Sequence, residues 1–350
     1  MIQAKQPDIL FFPCPVYQRV LDANLLKEIT GYANQYDAQG IAAPILEKLR
    51  AMGEGELYFL SNTFAPEAIY YNKDLLLQYG LPGPQDFMPW QDVLALAHQV
   101  AERGREDSIQ GLTTPHHGIA DLFLHLGTAE GLTWYHPANH ATLFGSEAWK
   151  TIVKQLVQKD KDDHRIPPTD DMYSDGFVDG KIAMVLDDYA LVDRLKQSKK
   201  KINWALVTAP VSPDGATKSQ FYSFETLNGI NHLTSQFEVV LEVWAYLNGQ
   251  EMAKIKHNGS FCPMTLPIRS GIVQDKELKN ISAFYQIAPD SVFVTKRNDL
   301  PLRVKGAIKT YLRTEIQRLD SDNTALRDES VLKWEHDVAE IIRQESRSNP

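Results

Sequence analysis

The chain predicts an α/β fold in two domains, and three observations support that expectation. Short apolar runs alternate with helical stretches along the sequence, an arrangement that builds sheets covered by helices on both faces. At 350 residues the chain is long enough for two cores. Its 43% apolar and 23% charged content is ordinary for a globular protein.

In chain order the strand candidates are "DILFF" (8–12), "ELYFL" (56–60), "AIYYN" (68–72), "SIQGLT" (108–113), "KIAMVLD" (181–187), "NWALVTAPV" (203–211) and "TLNGIN" (226–231). Their alternation with helices predicts largely parallel sheets. Among the helices, Trp90, Val93, Leu94, Ala97, Val100 and Ala101 follow a three-to-four spacing, and Gly104 stands where that helix should end. Ser146 is placed to cap a helix burying Trp149, Ile152, Val153, Leu156 and Val157. Ser235 and Glu238 have capping-box spacing ahead of Val240, Leu241, Trp244 and Leu247. From residue 300 onward the chain reads as helical, with a break at "SDNTALRDES" (321–330).

Several function classes lose support at this level. A net charge of −9 argues against nucleic-acid or anionic-membrane partners, and the basic "KQSKKK" (196–201) reads as a solvated connector. Cys14 and Cys262 are too few for a disulfide scaffold and fit no metal spacing, so packing is their expected role. Histidines at 116, 117, 125, 136 and 140 lack an HExxH or Cys/His pattern, so no metal and no cofactor is expected. "DMYSDG" (171–176) fails as a calcium loop because Tyr173 and Ile182 stand at donor positions; residues 320–331 fail at Ala325 and Val331. No apolar run has transmembrane length, and the N-terminus lacks the zones of a signal peptide. There is no nucleophile elbow or phosphate loop. With 45 acidic residues, a cleft hydrolase using two carboxylates is the rival among enzymes.

The order "LYFLSN…IYYNKDLLLQYGLP…PWQDVLALAHQVAE" resembles the extracellular solute-binding proteins of ABC importers, the family of maltose-binding protein. "FVDGKIAMVLD" (177–187), "WALVTAPVSPDG" (204–215) and "TLNGINHLTSQFEVVLEVWAYLNGQEMAKI" (226–255) follow that family's pattern in order. The resemblance covers about residues 7–345. It implies a two-lobed, type II periplasmic-binding-protein-like fold whose lobes are joined by crossing hinge segments near Ala65–Tyr71, Phe221–Gly229 and Lys276–Ala283. One lobe would be 1–66 plus 229–278, the other 70–224 plus 283–350. Family members begin with a strand, a helix and a further strand before "PDILFF". The first lobe is therefore expected to lack its N-terminal strand–helix–strand and to expose a sheet edge.

The same resemblance implies a monomer that binds a small solute in the interlobe cleft, an oligosaccharide being the expected class, and performs no chemistry. Its partners would be ABC permease subunits, and its place the cell surface, held by a lipid on an upstream cysteine. A sensor partner of a membrane kinase is the alternative on the same fold. Candidate ligand contacts lie on loops after strands. The first lobe offers Tyr17, Asn62, Phe64 and Glu67; the second offers Thr114, His116, His117, Asp187, Asp188 and Tyr189. Tyr222 and Glu225 stand near the second crossing, and Arg303 opens a late helix. Aromatic faces stack on sugars while carboxylates and other polar groups bond their hydroxyls. In "DDYAL" the family's usual stacking tryptophan is missing, and Tyr189 is the expected substitute. Each residue taken singly also reads as an ordinary loop side chain.

Overall fold

The computed structural model describes residues 7–33, 40–136, 141–157, 175–212, 218–219, 222–258, 264–273, 280–289, 300, 302–321 and 328–347. Its main strands are β1 (Ile9–Pro13), β2 (Thr63–Asn72), β3 (Gln110–Thr113), β4 (Ile182–Asp188), β5 (Trp204–Thr208), β6 (Tyr222–Ser223), β7 (Thr226–Ile230) and β8 (Leu266–Pro267). Its main helices are α1 (Ala43–Met52), α2 (Lys73–Gln78), α3 (Trp90–Arg103), α4 (Ile119–Ala129), α5 (Glu147–Val157), α6 (Ala190–Gln197), α7 (Phe237–Leu247), α8 (Leu302–Ser321) and α9 (Asp328–Arg347). Cys262, Tyr173, the turn at 213–217 and residues 322–327 lie outside the described residues.

Ten-residue β2 organises the sheet. Its first half pairs antiparallel with β8, Phe64 opposite Leu266, and with β6, Pro66 opposite Tyr222. Its second half lies between β4 and β5, antiparallel to both, with Ile69 opposite Leu186 and Val207. Among the described residues of this sheet β3 alone adds in parallel, Leu112 opposite Met184 on β4. The expectation of largely parallel sheets is thus corrected. One strand about twice the usual length takes partners along both halves, and those partners return antiparallel to it.

"ELYFL" is also not a strand. Leu57 and Phe59 are fully buried, and Leu60 forms a single bridge to Asn228. A short apolar run is equally consistent with a buried irregular segment. Among the described residues β1 pairs with β7 alone, and Phe11 on β1 is exposed.

Local signals explain some helix ends. The Asn72 side chain accepts from the Asp74 and Leu75 N–H groups and caps α2. α3 buries every position of its expected stripe and ends at Gly104. The capping box fails: Gln236 is the N-cap of α7 with no side-chain bond, and Glu238 only adds negative charge to the first turn. At Gly111 a Cβ would lie 2.0 Å from the Ala97 carbonyl oxygen, so glycine lets β3 approach α3 closely.

Two cores result. One gathers Leu10, Phe12, Phe59, Phe64, Tyr70, Leu227 and Trp244 and continues through Val185, Leu191 and Leu206. The other gathers Ile69, Trp90, Phe123, Phe144, Trp149, Met184, Val207 and Trp334. The sheet feeds both by strand alternation: Tyr70, Val185 and Leu206 point to one face, Ile69, Met184 and Val207 to the other. All seven residues of β4 are buried, as expected for a strand covered on both sides. Cys14 packs at the rim of the first core, where burial pushes its thiol up to about 11 although Lys48 pulls the other way.

Candidate functional site

Three segments meet at one end of the sheet. Parallel strands β3 and β4 finish side by side, which brings the loop "TPHHG" (114–118) next to Asp187 and Asp188. β2 runs the other way, and its register sets Glu67 opposite Asp188. Sites in open α/β sheets gather beyond the carboxyl ends of strands in this manner. The loop is held by a turn in which the Thr114 hydroxyl donates to the His117 carbonyl, 2.9 Å, and the His117 N–H donates to the Thr114 carbonyl, 3.0 Å. That turn presents two successive imidazoles to two sets of carboxylates.

His116 Nε2 lies 2.8 Å from Asp187 Oδ1 and 3.4 Å from Asp188 Oδ2. His117 Nε2 is 2.9 and 2.8 Å from the two oxygens of Glu67. Backbone donors fix the aspartates: the Asp188 N–H donates to Asp187 Oδ1 and the Ala190 N–H to Asp188 Oδ1, each 2.8 Å. Beneath them the buried Tyr70 hydroxyl donates to the Asp188 carbonyl at 2.8 Å. Asp187 and Asp188 are only 4% and 7% exposed, whereas the His116 side chain is 38% exposed and marks the open side.

The hydrogen bond to Asp187, aided by the charges of Asp187, Glu67 and Asp188, raises His116 to about 9 against the effect of burial. His116 is therefore a cation at neutral pH and donates from Nε2. Burial, then repulsion from Asp187, pushes Asp188 up to about 6, while the Ala190 N–H and His116 oppose the shift. The result is a compact array of imidazoles and carboxylates with one solvent-facing side.

Other candidates lie elsewhere. Tyr17 is 5% exposed and packs edge-on against Phe59 at 6.0 Å; Phe64 is 2% exposed and packs on Tyr285 at 5.3 Å. Tyr189 does not present a stacking face: it is 8% exposed and sits edge-on to Phe284 at 6.0 Å. All three rings belong to the first core, with Phe284 against Tyr189, Tyr285 against Phe64 and Phe59 against Tyr17. The Asn62 amide donates to the Leu247 carbonyl, 2.7 Å, and accepts from Lys256 Nζ, 2.6 Å. Tyr222 pairs through its backbone with Pro66; Glu225 is exposed and its carbonyl accepts from the Cys14 N–H. Arg303 is exposed in the first turn of α8. Tyr70, which supports Asp188 from below, drew no functional expectation from sequence, since a tyrosine in an apolar run looks like any core residue.

Residues 1–238 match the family described as bacterial extracellular solute-binding protein. The chain belongs to that family. Among solved structures this solute-binding protein is similar to the sugar-binding protein MalE of Xanthomonas citri, at 14% identity and TM-score 0.67, covering 99% of this chain and 86% of that one. It is also similar to an ABC substrate-binding protein of Listeria monocytogenes in complex with cycloalternan, at 15% identity and TM-score 0.60, covering 95% and 84%. A third is an ABC transporter solute-binding protein of Agrobacterium vitis with bound D-mannitol, at 16% identity and TM-score 0.60, covering 99% and 86%. No curated protein matches by sequence.

The fold is accordingly the two-lobed periplasmic sugar-binding type, as the resemblance in the sequence implied. Membership in a family of solute-binding proteins sets the hydrolase reading aside and gives this chain a solute-binding role. The family is extracellular, and among the described residues no helix is long and apolar enough to cross a membrane.

Proposed function

We propose that this chain is the substrate-binding component of an ABC importer, and that it takes an oligosaccharide or similar polyhydroxylated solute at Glu67, His116, His117, Asp187 and Asp188. The supporting observation is the convergence of these five side chains, from three separate segments, at one end of the sheet. A sugar hydroxyl both donates and accepts, and an array of imidazole donors beside carboxylate acceptors can satisfy both functions at each position. Solved relatives carrying D-mannitol and cycloalternan support the same solute class.

In this proposal the lobes, 1–66 plus 229–278 and 70–224 plus 283–350, close over the solute about the segments near residues 65–71, 221–229 and 276–283. Closure completes a site that the open form makes only in part. Asn62, Tyr222, Glu225 and Arg303 are the residues from which the remaining contacts would come. The closed form passes its solute to a permease in the membrane, and the protein works as a monomer held at the cell surface by a lipid anchor.

The test is a thermal-shift screen over linear and cyclic glucans, polyols, peptides and polyamines. A carbohydrate that binds the native state raises Tm in proportion to its occupancy, and mass spectrometry should recover it unchanged. Glu67→Gln and His117→Asn should weaken that carbohydrate about tenfold or more, the loss of one to two charged hydrogen bonds, with little change in the Tm of the free protein. Responses confined to peptides or polyamines would overturn the solute class; unaltered affinity in both variants would remove the cluster.

A further inference from the structure

We propose that His116, Asp187 and Asp188 form a binding site for a divalent transition-metal ion of the zinc class, with Glu67 and His117 as adjoining donors. The site uses side chains of the proposed solute site but does not depend on a sugar binding there.

Geometry is the first argument. One imidazole nitrogen and two carboxylate oxygens lie within 4.8 Å of one another. Zinc bonds of about 2.0–2.2 Å place neighbouring donors roughly 3.4 Å apart around a tetrahedral centre. His116 Nε2 is 2.8 Å from one carboxylate oxygen and 3.4 Å from the other; the ion would replace the Nε2 proton, which passes to solvent, with outward shifts of the side chains. The donors are also held in place before any ion arrives. Asp187 and Asp188 sit on a fully buried strand, and each already accepts a backbone N–H that fixes its carboxylate plane. Such bonds around the ligands orient them and reduce the cost of assembling the site.

Charge is the second. Three carboxylates, Glu67, Asp187 and Asp188, converge on two imidazoles, so the cluster brings anionic oxygens and imidazole nitrogen to one place. Asp187 and Asp188 are 4% and 7% exposed. A dication held by these oxygens would be paired with opposite charge inside the fold.

Donor chemistry is the third. Nitrogen and oxygen donors without thiolate suit zinc and its first-row neighbours over soft ions, and an imidazole ligand disfavours magnesium and calcium. Three protein donors leave a coordination position open on the His116 side, which is the solvent-facing side of the cluster. A solute oxygen, hydroxyl or carboxylate, fits that position.

The experiment is calorimetric titration of Zn2+ into full-length, chelator-treated protein with no carbohydrate present. The expected result is one saturable site in the micromolar range or tighter, about tenfold or more weaker in His116→Ala and unchanged in His336→Ala, a control on the exposed face of α9. Removing orienting partners alone costs tenfold or more elsewhere, so loss of a ligand should cost at least that. Asp188→Asn, nearly isosteric, provides the same comparison should His116→Ala not fold. Absence of a saturable site, or equal affinity in wild type and His116→Ala, overturns the proposal. Zn2+ binding without any carbohydrate response would leave it standing and defeat the solute reading; the reverse pattern would do the opposite.

Discussion

The two cores are held together by different means. In the second, Phe123 touches Phe144, Trp149 and Trp334 at centroid distances of 5.6, 4.8 and 5.9 Å, and Trp134 stacks on Phe144 at 6.0 Å. Most of those rings come from neighbouring elements, α4, α5 and the turn between them, with Trp334 arriving from α9. The first core has ring contacts too, but between segments far apart in sequence, Phe64 on Tyr285 at 5.3 Å and Tyr70 on Trp204 at 5.7 Å, and it adds a buried amide knot. Asn248 Nδ2 donates to Asn228 Oδ1 at 2.8 Å, Asn228 Nδ2 returns a bond to Asn248 Oδ1 at 3.1 Å, and Arg269 Nε donates to the Asn248 carbonyl at 3.0 Å. Asn62 joins through the Leu247 carbonyl, a partner 185 positions away. The lesson concerns sequence separation. Rings from adjacent helices find each other by spacing, whereas the distant segments of the first core meet through ring packing together with directional bonds that fix how they join.

Four substitutions can break or sharpen that contrast. Trp149→Ala should cost most, about 3–5 kcal/mol in denaturant unfolding, since a fully buried ring at the centre of the aromatic cluster leaves a large cavity. A cost below about 1 kcal/mol, the scale of a small methyl-deleting change, would show that the cluster is not the mainstay of its core. Asn248→Ala should follow at roughly 2–3 kcal/mol, because the buried Asn228 Oδ1 loses its donor and Nδ2 keeps only its bond to the Leu60 carbonyl. A smaller loss would make the knot incidental and remove the contrast. Gly127→Ala should cost about 1–3 kcal/mol, as a Cβ there would lie 1.9–2.7 Å from the Trp149 ring. Pairing it with Trp149→Ala should recover most of its own cost, a double-mutant test of the contact.

The smallest effect belongs to the surface staple between α8 and α9. Asp337 accepts from Lys333, 2.7 Å, and Tyr311, 2.6 Å, and the Lys333 bond, then that of Tyr311, holds its carboxyl below the usual range. A depressed carboxyl stabilises above its unfolded pKa of about 3.9 and loses that contribution as pH falls through the lower folded value. Asp337→Asn should therefore cost under about 1 kcal/mol at neutral pH. The difference from wild type should shrink as unfolding is measured at progressively lower pH. A constant difference at all pH values would assign the effect to packing.

Much of the framework was legible before any coordinates. The α3 stripe, its stop at Gly104 and the run "KIAMVLD" depend on neighbours within a few positions, so spacing and stop chemistry expose them. The misses share a cause. β2 extends back through Pro66 to Thr63, but proline argues against a strand, and only its short pairing with Tyr222 explains why it is tolerated here. Ser235 lost the cap to Gln236, whose N–H donates to the Thr234 hydroxyl and whose side chain makes no capping bond. At the site, "HH" and "DDY" stood out as polar clusters at strand ends. Their partners did not: the Glu67–His117 bond spans 50 positions and the His116–Asp187 bond 71.

Local chemistry therefore settled the alternation of strands and helices, the caps that rest on one side chain and the family pattern, since each depends on residues a few positions apart. Burial and register required the folded chain. Tyr17, Phe64 and Tyr189 looked like sugar-stacking rings until the first core enclosed them. Glu67 faces Asp188 only because an antiparallel strand pairs at one register, and a slip of one residue would turn its carboxylate to the opposite face.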